Sequence, residues 1–203
     1  SGSANFGTQD QLKRDTLTEI AATLAFSALQ NNDKVGLLLF SDEVELFIAP
    51  KKGKSHVLRI IRELIEFQPV SKKTNVSEAL KFMSSVLKKK AIVFLMSDFM
   101  DEGYSKNLKI ASRKHDLTGI RVFDKHEIKL PNIGMVPMLD RETGAFRLVD
   151  TSSKKLRKQH QIQAAQRTAY FRDSFSKSGA GAISCRMDES YVKKLLGYFK
   201  NRG

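Results

Sequence analysis

The feature that most constrains this chain is an alternation. Over roughly its first 125 residues, stretches with helical apolar spacing take turns with short, continuous apolar runs, the order expected of helices packed on a parallel sheet. Leu17, Ile20, Ala21, Leu24 and Ala28 recur at helical spacing between Gln11 and Gln30, and Asn31-Asn32-Asp33 supplies a stop. Val35 to Phe40 is a run suited to a strand covered on both faces, and Val44, Leu46 and Ile48 alternate as a second strand ending at the turn Pro50 to Lys54. Val57, Ile60, Ile61, Leu64 and Ile65 mark the next helix, which Gln68-Pro69 ends. A further helical stripe, Val76, Ala79, Leu80, Met83 and Leu87, leads into the buried-strand run Ala91 to Met96, which stops at Ser97-Asp98. A helix from about Ser105 to Lys114 then precedes a strand from Thr118 to Phe123.

Beyond Asp124 the texture changes. Met135 to Leu139 and Ala145 to Val149 flank Asp140 to Gly144, which predicts a β-hairpin insertion near 134–149. A long helix is expected from about Ser152 to Ser176, then a short strand at Ala182 to Cys185 and a final amphipathic helix carrying Val192, Leu195, Leu196 and Phe199. With 203 residues and no repeat, low-complexity tract or linker, residues 1–203 are expected to form a single α/β domain. The single cysteine, Cys185, excludes a disulfide framework and a cysteine-rich zinc site, and suits a small core residue in a reducing, cytoplasmic setting. No apolar run reaches the length of about 18 residues that a membrane span requires.

The formal charge of +13 invites a nucleic-acid reading, which has to be tested by where the charge sits. Residues 1–100 carry a net +3 and residues 101–203 a net +10. The one cluster lies between 150 and 177, where Lys154, Lys155, Arg157 and Lys158 wrap around the expected helix and do not form a single reading edge. No interleaved aromatic residues, helix-turn-helix or zinc signature accompany it, so the reading is a solvated face or a patch for an acidic protein. Enzymatic chemistry has little support. His56, His115, His126 and His160 lack triad or ligand spacing, and no GxxxxGK[ST] phosphate loop is present despite Gly134 and Gly144. A metal-dependent hydrolase would need a general base near Asp98, for which only Asp101 and Glu102 stand close in sequence.

Ligands of open α/β sheets bind beyond the carboxyl ends of the strands, and three segments are polar at such places: Ser1-Gly2-Ser3, Ser71 to Asn75, and Ser97-Asp98. Hydroxyls and carboxylates are hard donors, suited to Mg2+ or Mn2+ and not to zinc. The competing reading makes Thr74 a helix N-cap, a role for which Asn75 and Ser77 also compete, and Asp98 a capping carboxylate.

Ser1-Gly2-Ser3 with Phe6-Gly7-Thr8, Asp33 to Leu37, Phe40-Ser41-Asp42, Ser97-Asp98-Phe99, Leu130 to Gly134, Asp140 to Gly144 and Phe199 to Arg202 together resemble the bacterial "domain of unknown function 58" family, which is related to von Willebrand factor type A domains. The resemblance implies a Rossmann-like, three-layer sandwich with a mostly parallel sheet and a metal-ion-dependent adhesion site. Ser1 and Ser3 match that site's two serines, Thr74 its threonine and Asp98 its later aspartate. The family's opening aspartate would stand two places before Ser1, after a first strand. Neither is in this sequence, so the resemblance implies an N-terminally truncated domain whose remaining strands fall into two groups with unpaired edges, and a weakened hold on the ion. It also implies a non-enzymatic protein-binding module, in which Mg2+ (or Mn2+) is bridged to a partner carboxylate and the partner is a MoxR-type AAA+ ATPase or its client. The alternative is a basic module that docks on nucleic acid or an anionic membrane through the 150–177 helix.

Overall fold

A computed structural model describes residues 3–71, 73–139 and 146–201. Helix α1 (Ser3–Gln30) begins earlier than its apolar stripe requires and stops where the asparagines stand. Asn32 adopts the left-handed conformation (φ 56°), and the Asp33 amide returns to the Ala28 carbonyl at 2.9 Å, which satisfies one of the helix's last carbonyls. Strands β1 (Val35–Phe40) and β2 (Val44–Lys51) follow, then helices α2 (Lys54–Glu66) and α3 (Val76–Val86). Next come β3 (Ile92–Ser97), α4 (Ser105–Lys114), β4 (Asp116–Phe123) and a short helix α5 (Lys125–Ile128). The hairpin β5 (Met135–Leu139) and β6 (Phe146–Asp150), helix α6 (Lys154–Lys177), strand β7 (Gly181–Arg186) and helix α7 (Tyr191–Lys200) complete the order. The predicted turn Asp140 to Gly144 lies outside the described residues.

The molecule is mixed α/β, with β3, β4 and β7 forming a parallel three-stranded sheet in the order β3-β4-β7. One mostly parallel sheet is not what the described residues show. β1 and β2 pair with each other and run antiparallel, because the three-residue link Ser41 to Glu43 cannot make the long crossover a parallel pair needs. β5 and β6 pair as the expected hairpin. Among the described residues, β1 and β3 therefore each have one hydrogen-bonded neighbour strand.

Helices cover both faces of the parallel sheet. On one face Leu95, Leu117 and Phe99 pack with Leu80 and Met83 of α3, Leu108 and Ala111 of α4, and Phe171 and Phe175 of α6. Phe40 of β1 packs on this same cluster, which ties the two-stranded group to the main core. On the other face Ile120, Val122, Ile183 and Cys185 meet Ile20 of α1 and Leu195 of α7. Alternation along β4 sorts these contacts: Thr118, Ile120 and Val122 face α1 and α7, whereas Leu117, Gly119 and Arg121 face α6. Cys185 is a buried core thiol, its pKa pushed up by that burial.

His115, 3% exposed, stands at the C-terminus of α4 with neither ring nitrogen hydrogen-bonded. Burial, aided by the neighbouring Lys114 charge, pushes its pKa below the ordinary value of about 6.5. The unfolded chain then binds a proton more readily than the folded one, so stability is lost as pH falls below about 6.5 toward the lowered native value. Urea midpoints measured across this range are expected to drop on acidification, and His115→Leu is expected to flatten the slope.

Candidate functional site

The loops that leave the carboxyl ends of β1 and β3 meet the loop before α3, a junction here called the crevice. Asn75, and not Thr74, is the N-cap of α3: its side chain accepts the Glu78 amide at 3.1 Å. Thr74, half-buried just outside the helix, is thereby relieved of the capping role. The Asn75 amide donates to the Ser41 carbonyl at 2.8 Å, which joins this loop to the end of β1. Asp101 Oδ2 accepts the Val76 amide at 2.9 Å, which joins it to the loop after β3. The Thr74 and Asp98 loops expected to share a site are thus joined by the Val76–Asp101 bond, and the Asn75–Ser41 bond holds the same segment to the end of β1.

Asp98 does not cap a helix. Its Oδ1 accepts the Met100 amide at 3.3 Å in a local turn, and its Oδ2 lies 3.7 Å from Lys13 Nζ of α1. Phe99, next in sequence, holds a left-handed backbone (φ 51°), an uncommon state for a residue with a bulky side chain. Its ring is clamped by Phe171, Phe175 and Tyr104 at centroid distances of 4.6, 5.4 and 5.8 Å. This aromatic packing fixes the turn that aims Asp98.

Beneath the crevice sits a charged group that the sequence reading did not identify. Lys13 Nζ lies 2.5 Å from Glu127 Oε1, so one ammonium stands between Glu127 and Asp98. Arg121, 2% exposed, donates from Nε to the Asp98 carbonyl at 3.2 Å and from Nη1 to Thr168 Oγ1 at 2.8 Å. Burial lowers the Arg121 pKa, opposed by the charges of Glu127 and Asp98. Among the described residues, two buried carboxylate oxygens have no hydrogen-bond partner, Asp101 Oδ1 and Glu127 Oε2. Burial likewise pushes the Asp101 carboxyl above the ordinary range. These residues left traces in the sequence: Lys13 lies on the stripe of Leu17, Ile20 and Leu24, Arg121 interrupts an apolar strand, and Asp124 with Glu127 forms a capping box.

The expected serines stand differently. Ser1 lies outside the described residues, and Ser3 opens α1. At 1.5 Å per residue, Ser3 is roughly 15 Å along the helix axis from Lys13, the α1 residue whose ammonium lies beside Asp98. The four basic residues at the start of α6 are not equally exposed. Lys154, Lys155 and Lys158 are exposed, but Arg157 is half-buried and donates from Nη1 to the Thr151 carbonyl at 2.5 Å, bracing the corner where the chain enters α6.

Whether a hard cation suits this crevice can be judged from its donors. Asp98, Thr74 and the unpartnered Asp101 Oδ1 are all oxygens, the class that Mg2+ and Mn2+ take. Among the described residues no three His, Cys, Asp or Glu side chains are grouped to hold a metal, so an ion here would depend on hydroxyls and water beside its carboxylate. The oxygen chemistry fits.

The family described as "Protein of unknown function DUF58" matches residues 1–170. This chain belongs to the DUF58 family. Among curated relatives it is similar to the uncharacterized proteins Mb1516 of Mycobacterium bovis and Rv1480 of Mycobacterium tuberculosis, each 22% identical over 205 residues that cover all of this chain and 64% of the relative. This DUF58 chain thus spans less than two-thirds of the length of those relatives. The uncharacterized protein MAV169 of Mycobacterium avium is 24% identical over 135 residues, 66% of this chain and 79% of that protein. Among solved structures, it is similar to the conserved hypothetical protein BatB from Bacteroides thetaiotaomicron (TM-score 0.49, 18% identity, 88% of this chain and 83% of that one). It is also similar to an aerotolerance-related membrane protein from Bacteroides fragilis (TM-score 0.48, 17% identity, 88% and 85%). No helix among the described residues of the DUF58 chain is long and apolar enough to cross a membrane.

Proposed function

We propose that this DUF58 domain is a non-enzymatic, von Willebrand factor type A-like binding module whose crevice holds Mg2+ or Mn2+ and engages a carboxylate of a partner protein. The observation that carries the reading is the joining of the Thr74 and Asp98 loops through the bond from the Val76 amide to Asp101, with a buried Asp101 oxygen left unpartnered beside them. Asp98 and Thr74 would hold the ion, with water completing its shell, because Ser3 stands about three helical turns from the α1 residue that meets Asp98. Bound there, the ion supplies an open coordination position that a carboxylate can take from water. The chain's own part is to orient the donors: Phe99 aims the Asp98 turn, Asn75 and Asp101 fix the start of α3, and Arg121 anchors the Asp98 carbonyl.

In the finer fold reading a further strand lies between β1 and β3 and joins the two groups into one sheet. Their single hydrogen-bonded neighbours and the shared packing of Phe40 on the Leu95 cluster support it.

The partner we propose is a MoxR-type AAA+ ATPase or its client. Affinity capture of such an ATPase, with and without Mg2+, is the test. Retention is expected to need the ion and to fall at least tenfold in Asp98→Ala; capture that persists with chelator and in the variant would sink the metal-bridged contact.

A further inference from the structure

We infer that Lys13 is a tethered competitor for the divalent ion, an inference that rests on the reading of Asp98 as a metal-holding residue. The Lys13 side chain is 11% exposed, and its ammonium is placed between two carboxylates, 2.5 Å from Glu127 Oε1 and 3.7 Å from Asp98 Oδ2. A buried ammonium held in this way is charge-compensated, which is the condition under which a lysine is tolerated in an interior. Asp98 is compensated in turn, so the crevice stays folded without an added cation.

A divalent ion and an ammonium cannot both sit close to Asp98 Oδ2 in a half-buried site, because like charges repel strongly where water is scarce. Ion entry must therefore move the ammonium away from Asp98. The geometry gives it a destination. Glu127 already makes the closer contact, and its second oxygen, Oε2, is buried without a hydrogen-bond partner. Glu127 cannot move off with the lysine, because Oε1 also accepts the Asp124 amide at 3.1 Å as part of the α5 capping box. Arg121 stays in place on the Asp98 carbonyl and Thr168. Lys13 thus carries its charge on a flexible stem, set between a fixed acceptor and the proposed metal ligand, whereas two hydrogen bonds hold Arg121. It sets the ion concentration at which the site loads and keeps the site ordered below that concentration.

Mn2+ titration of the chain, followed by the electron paramagnetic resonance of the free ion, tests this directly. Lys13→Met keeps the stem and removes the charge, and is expected to bind Mn2+ at least tenfold more tightly than the unaltered chain. Linkage adds a second signature: its melting temperature should rise on adding Mn2+ by more than that of the unaltered chain. Glu127→Gln keeps the capping acceptor but removes the anion that draws the ammonium aside, and is expected to bind at least threefold more weakly. If Lys13→Met does not fold, Lys13→Gln is read in its place, with the same expectation. Equal Mn2+ affinity in the Lys13 variant and the unaltered chain, in a protein whose binding Asp98→Ala abolishes, overturns the role of Lys13 and leaves the metal site standing. Binding that is insensitive to Asp98→Ala in every variant overturns both.

Discussion

Gly119→Val is expected to abolish folding, and Gly119→Ala to destabilise the protein severely. Gly119 lies mid-strand in β4, and a Cβ built there would stand 2.3 Å from Cε1 and 2.4 Å from Cζ of Phe175. No real Cβ tolerates such an approach, so ring or strand must shift. The ring has nowhere to go: Phe175 is fully buried and packed against Phe171, Phe99 and Tyr104 at 4.8, 5.4 and 6.3 Å. The strand is equally held, paired with β3 on one side and β7 on the other. Overpacking a well-filled core costs about 1–3 kcal/mol and occasionally more. Urea denaturation should place Gly119→Ala at or beyond the top of that range, with Phe175→Leu in the same chain recovering at least half of the loss. A Gly119→Ala midpoint equal to that of the unaltered protein would show that α6 does not lie on β4 in this way.

Phe171→Ala is the second large effect, and it connects packing with the site. Phe171 is fully buried and stacks at 4.6 Å on Phe99, the residue whose left-handed backbone turns Asp98 toward the crevice. Truncating a buried phenylalanine costs about 3–5 kcal/mol, a large share of the about 5–15 kcal/mol that typically holds a domain together. Beyond that general loss, Phe99 loses the contact that keeps it in an unfavourable backbone state. The amide resonances of Asp98 to Asp101 are therefore expected to shift and broaden, while those of the β5–β6 hairpin, which has no described residue in this cluster, keep their positions. A loss under about 1 kcal/mol, well below the cavity range, would contradict the packing described.

These two residues also show what could and could not be read from the chain. Phe171 and Phe175 stand on the helical stripe of a long, well-marked helix, and the apolar runs of β3 and β4 declare themselves because a sheet covered on both faces needs side chains that are apolar in both directions. Helix α4 has the predicted bounds, Ser105–Lys114. Periodicity does not report which strands pair. The antiparallel β1–β2 pair was legible only from its three-residue link, and the short helix α5 only from its Asp124–Glu127 capping box. The crevice was half-legible. Polar residues ending an apolar strand pointed to Asp98, but its charged neighbours Lys13, Arg121 and Glu127 come from three elements 13 to 127 residues along the chain, which no local pattern can bring together. Arg157 is set apart from its surroundings in a related way. Its neighbours in sequence are exposed lysines, yet its guanidinium turns back to the Thr151 carbonyl.

The central claim is that a divalent ion binds at the meeting of the Thr74 and Asp98 loops, and the most direct measurement is paramagnetic broadening of backbone amides by substoichiometric Mn2+. Broadening is predicted to be strongest at Thr74 to Val76 and Asp98 to Asp101, weak at the exposed Lys154, Lys155 and Lys158 at the start of α6, and lost in Asp98→Ala. Uniform broadening, or broadening at the crevice that survives Asp98→Ala, would contradict it.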